Sequence, residues 1–188
     1  MSLPVVAIVG RPNVGKSTLF NRLIGRMISI VDDRPGITRD RLSEICQVGE
    51  RYFELVDTGG FGIEELDKLS EQVEKQIKLA IERADLVLFV VDAQAGITPL
   101  DSKLANILRT QNKPILLLAN KADNRTLGYQ SSVFLKFGMG EPMPLSALHG
   151  TGKDSLFEAI LERLDHELTA PPSPIMRLAL VGARNVGK

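Results

Sequence analysis

Apolar runs alternate with helically spaced apolar residues along most of the chain. Val5-Val6-Ala7-Ile8-Val9 is unbroken and mostly β-branched, the pattern of a strand buried on both faces. Leu19, Phe20, Leu23 and Ile24 follow at helical spacing and predict a helix. Ile45 to Val48 and Tyr52 to Val56 predict two short strands around Gly49-Glu50, a hairpin-like turn. Leu69, Val73, Ile77, Ile81 and Ala84 recur every three or four residues and predict an amphipathic helix before the buried strand Leu86 to Val91. A helix over Leu100 to Arg109 and a strand over Ile115 to Leu118 come next. Between Asn124 and Gly140 the pattern is weak, and only a short helix from Ser131 to Phe137 is predicted. Pro144 to Leu148 reads as a last short strand with its loop, and Leu156, Phe157, Ile160, Leu161 and Leu164 as a final helix. Such alternation predicts an α/β fold with a mostly parallel sheet covered by helices on both faces.

The predicted strands end on polar motifs. Gly10-Arg11-Pro12-Asn13-Val14-Gly15-Lys16-Ser17 fits GxxxxGK[ST], placed between a strand and a helix as a phosphate-cradling loop must be. Its glycines let backbone N–H groups turn inward, and the helix start adds positive potential. The loop residues Arg11, Pro12, Asn13, Val14, Gly15, Lys16, Ser17 and Thr18 are therefore expected around a nucleotide, with Lys16 on the β and γ phosphates. Ser17 is expected to offer its hydroxyl to Mg²⁺, a hard ion that prefers oxygen. Asp57 ends a strand and begins Asp57-Thr58-Gly59-Gly60; it is expected to reach the same Mg²⁺, and the Gly60 N–H a γ-phosphate. Met27 to Asp40 is polar and broken by Pro and Gly, a mobile loop carrying Thr38. If Thr38 completes the Mg²⁺ shell only beside a γ-phosphate, hydrolysis releases the loop, which makes a switch.

Asn120-Lys121-Ala122-Asp123 sets the base. Guanine presents N1–H and an exocyclic amine as adjacent donors, which the Asp123 carboxylate accepts as a pair; adenine presents an acceptor at N1. GTP is thus expected over ATP. Lys121 is expected to lay its stem on the base, Asn120 to tie this loop to the first, and the Ala147 N–H, within Ser146-Ala147-Leu148, to meet the guanine carbonyl.

Composition narrows the setting. Lys plus Arg and Asp plus Glu each total 23, so no overall basic field argues for nucleic acid. The single cysteine, Cys46, rules out an internal disulfide framework and a Cys-rich zinc site, and fits a reducing compartment. No apolar run approaches the ~18 residues of a membrane span, which makes a cytoplasmic location the expectation. At Thr169 the composition changes to Ala170-Pro171-Pro172-Ser173-Pro174, a stiff linker. Beyond it, Leu178 to Lys188 repeats the pattern of Val6 to Lys16 and stops before the Ser or Thr. The division expected is residues 1–168 as one domain, 169–174 as linker and 175–188 as the start of a second domain.

Together these motifs resemble the Ras-like P-loop GTPases, and the tandem start resembles the bacterial double-GTPase EngA (Der) family. The resemblance covers Gly10 to Ser17, Thr38, Asp57 to Gly60, Asn120 to Asp123 and Ser146 to Leu148. It implies the three-layer P-loop NTPase fold and GTP hydrolysis to GDP and phosphate. It also implies a role in assembly of the large ribosomal subunit, with a second GTPase domain and a KH-like domain absent from this chain. Where the Ras-like group carries a water-orienting glutamine after DxxG, this chain has Phe61, which cannot orient water. Related bacterial GTPases with the loop asparagine are potassium-activated, so Asn13 is expected to help bind a K⁺ that replaces an arginine finger. Arg11, Arg34, Arg39 and Arg41 are rival in-cis candidates for that charge, with solvated surface charge the favoured reading of each. A nucleotide-sensing module with negligible turnover remains the alternative to an active GTPase.

Overall fold

A computed structural model of the chain describes residues 3–25, 42–58 and 71–164. Six strands form one sheet: β1 (Val5–Val9), β2 (Leu42–Val48), β3 (Arg51–Asp57), β4 (Leu86–Asp92), β5 (Ile115–Asn120) and β6 (Met143–Pro144). Their order is β2-β3-β1-β4-β5-β6. Only β2 runs antiparallel, paired with β3 from Leu42 opposite Asp57 to Val48 opposite Arg51. The two-residue turn between them has Gly49 at φ 63, a conformation that glycine adopts without steric cost. All other pairings are parallel.

Period-two alternation divides the apolar strand residues between two faces. Val6 and Ile8 of β1 and Leu86, Leu88 and Val90 of β4 join one core. That core is closed by α1 (Lys16–Ile24) through Leu19, Phe20 and Leu23, and by α5 (Lys153–Arg163) through Leu156, Ala159 and Ile160. Ala7, Val9, Val87, Phe89 and Val91 face the other way. There α2 (Glu71–Arg83) contributes Ile77 and Ile81, and α3 (Pro99–Arg109) contributes Leu104, Ala105 and Leu108. Burying side chains of this size is worth about 1.5–3 kcal/mol each, and burial on both faces is why β1 and β4 carry no polar alternation.

The weakly patterned region resolves into α4 (Arg125–Gln130) followed by a 3₁₀ segment, Ser131–Phe137. The sequence reading missed α4. Its signal was Asn124, whose Oδ1 accepts from the Leu127 N–H at 2.9 Å as an N-cap. Phe134 and Phe137 of the 3₁₀ segment are buried, with Phe137 5.7 Å from Phe89 between ring centroids. Burial against the sheet thus holds a segment that local pattern barely specifies. Among the described residues, no helix is long and apolar enough to cross a membrane. The mobile-loop and switch positions Thr38 and Gly60, with Phe61, Arg34, Arg39, Arg41, Leu69 and everything from 165 onward, lie outside the described residues.

Candidate functional site

With β1 between β3 and β4, the carboxyl ends of the parallel strands β1, β3, β4 and β5 lie on one rim of the sheet. Gly10 turns the chain out of β1 so closely that an added Cβ would stand 2.4 Å from the Val90 carbonyl oxygen. Gly15, at φ 92, begins α1, and a Cβ there would stand 2.4 Å from Asn120 Nδ2. Of the three described non-glycine residues with positive φ, two lie here, Asn13 and Lys121, each at φ 63. Such backbone costs roughly 1–3 kcal/mol per residue and persists where surrounding contacts impose it.

Those contacts run between loops. Asn120 is buried at the end of β5 and its amide bridges two of them, Nδ2 donating to the Val14 carbonyl at 2.7 Å and Oδ1 accepting from the Ala147 N–H at 2.9 Å. The Ala147 N–H, expected at the guanine carbonyl, is therefore engaged by Asn120. Lys121 Nζ donates to the Asn13 carbonyl and to Asp92 Oδ2, both at 2.7 Å. Asp92, at the end of β4, also accepts from the N–H groups of Gln94 and Ala95. Burial pushes its carboxyl up, but the Lys121 hydrogen bond, those two N–H groups and the Lys121 charge together hold it below its ordinary value.

On the phosphate side, Lys16 is buried and its Nζ donates to the Arg11 carbonyl at 2.9 Å. Burial lowers its pKa, with neighbouring Arg11 adding to the effect and Asp57 opposing it. Ser17 Oγ donates to Asp57 Oδ2 at 2.9 Å, which joins the start of α1 to the end of β3. Next to Asp57, Thr58 Oγ1 donates to the Ile8 carbonyl at 2.6 Å and fixes the exit of β3 against β1. On the base side, Asp123 accepts from Ser146 Oγ at 2.6 Å on Oδ1 and from Gln94 Nε2 at 3.0 Å on Oδ2. Thr18 is exposed on the first turn of α1, and Pro12 lies in the loop ahead of it. Leu148 is 65% exposed at the tip of the loop that follows Ala147.

Arg11, in the phosphate loop, is engaged inside the protein rather than standing as a solvated surface charge. Its Nη2 lies 3.7 Å from Asp92 Oδ2 and its Nε 3.4 Å from Asp101 Oδ2, so two carboxylates draw the guanidinium into the protein. Asp101 is fully buried and caps α3 reciprocally with Thr98. The sequence reading did not single out Asp92, Gln94 or Asp101. The signal available was a polar Asp92 closing an otherwise apolar strand, as Asp57 and Asn120 also do.

A family model described as 50S ribosome-binding GTPase matches residues 5–121. GTPase Der of Myxococcus xanthus (strain DK1622) is 47% identical over 193 residues, covering 98% of this chain and 42% of its own length. Among solved structures, Era of Aquifex aeolicus bound to GDP·AlF4⁻ superposes with a TM-score of 0.67 at 32% identity, over 94% of this chain and 60% of that one. Era in complex with MgGDPNP and a 16S ribosomal RNA fragment gives 0.68 at 31%, over 93% and 60%. The motif loops that the sheet gathers on one rim lie largely inside the matched segment, and the chain belongs to the 50S ribosome-binding GTPase family, in the branch of the GTPase Der proteins, of whose length it spans less than half.

Proposed function

We propose that residues 1–168 bind GTP with Mg²⁺, hydrolyse it to GDP and phosphate, and act as a switch. The observation that carries this reading is the Ser17 hydroxyl held 2.9 Å from the Asp57 carboxylate beside the buried Lys16. Among the described residues no group of three or more His, Cys, Asp or Glu gathers for a metal. One hydroxyl and one carboxylate, both oxygen donors, fit a hard ion such as Mg²⁺ whose remaining positions phosphate oxygens and water would fill. When bound, Mg²⁺ supplies charge to the phosphate oxygens during transfer. Lys16 exchanges the Arg11 carbonyl for a phosphate oxygen, and the backbone N–H groups from Asn13 to Thr18 cradle the chain of phosphates. Thr38 and Gly60 sense the γ-phosphate in this reading.

Asp123, oriented by Ser146, accepts the paired donors of guanine, while Lys121 covers the base and Asn120, Ala147 and Leu148 shape the loop under it. Asn13, exposed and with its carbonyl held by Lys121, helps bind K⁺ in this reading, as the resemblance to potassium-activated GTPases implies; Arg11, engaged by Asp92 and Asp101, is the less favoured source of that charge. In this reading 169–174 is a linker and 175–188 opens a second GTPase domain. The longer protein, which also carries a KH-like domain, acts in the cytoplasm on the large ribosomal subunit. The family description, which names the 50S subunit, supports that partner.

Phosphate release from GTP, measured with Mg²⁺ in KCl and in NaCl, with and without large ribosomal subunits, tests the proposal. Turnover is expected in Mg²⁺, faster in KCl and abolished by EDTA. Equal rates in the two salts would remove K⁺ from the mechanism. Tight GTP binding with no turnover under any condition would favour the nucleotide-sensing alternative.

A further inference from the structure

We propose that Arg22, which lies outside every nucleotide motif, is a positioning residue for guanine discrimination; the inference rests on the reading of Asp123 as the guanine acceptor. Arg22 stands on the exposed side of α1, the helix that begins with Lys16 and Ser17. Its Nε donates to the Ala147 carbonyl at 2.9 Å, and its Nη2 to the Leu148 carbonyl. Lys153, at the start of α5, donates to the carbonyl of Arg22 itself at 2.7 Å. The base loop is thus clamped to the phosphate-binding helix at two consecutive carbonyls. A guanidinium fork fixes orientation as well as distance, which a single donor does not.

The clamped loop carries the groups that set the base site. Ser146 Oγ holds Asp123 Oδ1 at 2.6 Å, and the Ala147 N–H holds Asn120 Oδ1 at 2.9 Å. Within the loop, the Ser146 N–H donates to the Thr151 carbonyl and the Gly150 N–H to the Ser146 carbonyl, so it keeps its own turn without Arg22. Leu145 and Ala147 anchor its base in the core, whereas the tip beyond them is exposed at Leu148. The Arg22 side chain also runs alongside the turn, its Cδ 3.9 Å from where a Cβ at Gly150 would stand. Losing the fork frees the loop to shift as a body relative to α1, and Ser146 then holds Asp123 less sharply. The consequence falls on the paired acceptance of guanine N1–H and the exocyclic amine.

Inosine nucleotides lack that amine, so the ratio of GDP to IDP affinity reports carboxylate orientation, whereas a general loss of stability weakens both alike. Dissociation constants for GDP and IDP would be measured on the 188-residue chain, wild type, Arg22→Met and Arg22→Lys, alongside thermal melts. Wild type is expected to prefer GDP at least ~10-fold. Arg22→Met, which keeps the stem and loses the donors, is expected to reduce that preference by at least ~3-fold, with Arg22→Lys in between. An unchanged ratio in folded Arg22→Met overturns the inference. If that variant does not fold, an unchanged ratio in Arg22→Lys does so. A wild type with no preference for GDP overturns the guanine reading instead, so the two failures are distinct.

Discussion

Asn120→Ala strikes the link between the phosphate loop and the base loop. The wild-type amide is 2% exposed and satisfies two backbone groups, the Val14 carbonyl at 2.7 Å and the Ala147 N–H at 2.9 Å, that no water reaches easily. Leaving a buried backbone group unpaired costs about 1–3 kcal/mol, so the pair costs about 2–6 kcal/mol before relaxation, and about 3 kcal/mol after it. For a domain of this size that is a fall of roughly 6–12 °C in melting temperature. The assay is urea unfolding followed by circular dichroism, without nucleotide and with saturating GDP. The nucleotide-free protein should lose about 3 kcal/mol and the further stabilisation by GDP should shrink, because a weaker Kd reduces the linkage term. Asn120→Asp separates the halves: it keeps an acceptor for Ala147 but sets a carboxylate oxygen against the Val14 carbonyl, and should be at least as damaging as Ala. A loss below about 1 kcal/mol in a folded Asn120→Ala protein would refute the reasoning.

Asp123→Asn should shift preference from guanine toward xanthine nucleotides, because the amide donates to the extra carbonyl; competition binding with GDP and XDP checks it, and a retained preference for GDP would show that Asp123 does not read the base. Asp92 titrates below its ordinary 3.8 in the folded chain, so its contribution to stability is complete above that value and is lost as pH falls through the lower, folded value. Asp92→Asn should therefore flatten the acid limb of a stability profile below about pH 4, and an acid limb identical to wild type would count against the Lys121 contact. Cys46 is buried beside Glu44, and burial first, then that charge, pushes its thiol up to about 12. Thiol reagents at pH 8 should label it only as fast as the domain opens; rapid labelling of the folded chain would contradict its burial.

The motifs and most elements were legible in the sequence because they are local. A strand buried on two faces must be apolar throughout, as Leu86 to Val91 is, and a phosphate loop needs glycine where Gly15 adopts φ 92. The helix over Arg125–Gln130 escaped because none of its residues is buried, so hydrophobic period carried no trace of it. Other relations depend on which strand lies beside which. The placement of β4 between β1 and β5 sets Asp92 near Arg11 and Lys121, and α1 meets the loop after β6 only because both cover the same face. These contacts join residues up to 126 positions apart, and no local propensity encodes them. Arg11 illustrates the division: its place in the phosphate loop follows from spacing alone, whereas its turn toward Asp92 and Asp101 is decided by the packing of α3 against the sheet, which leaves buried carboxylates that a guanidinium must neutralise.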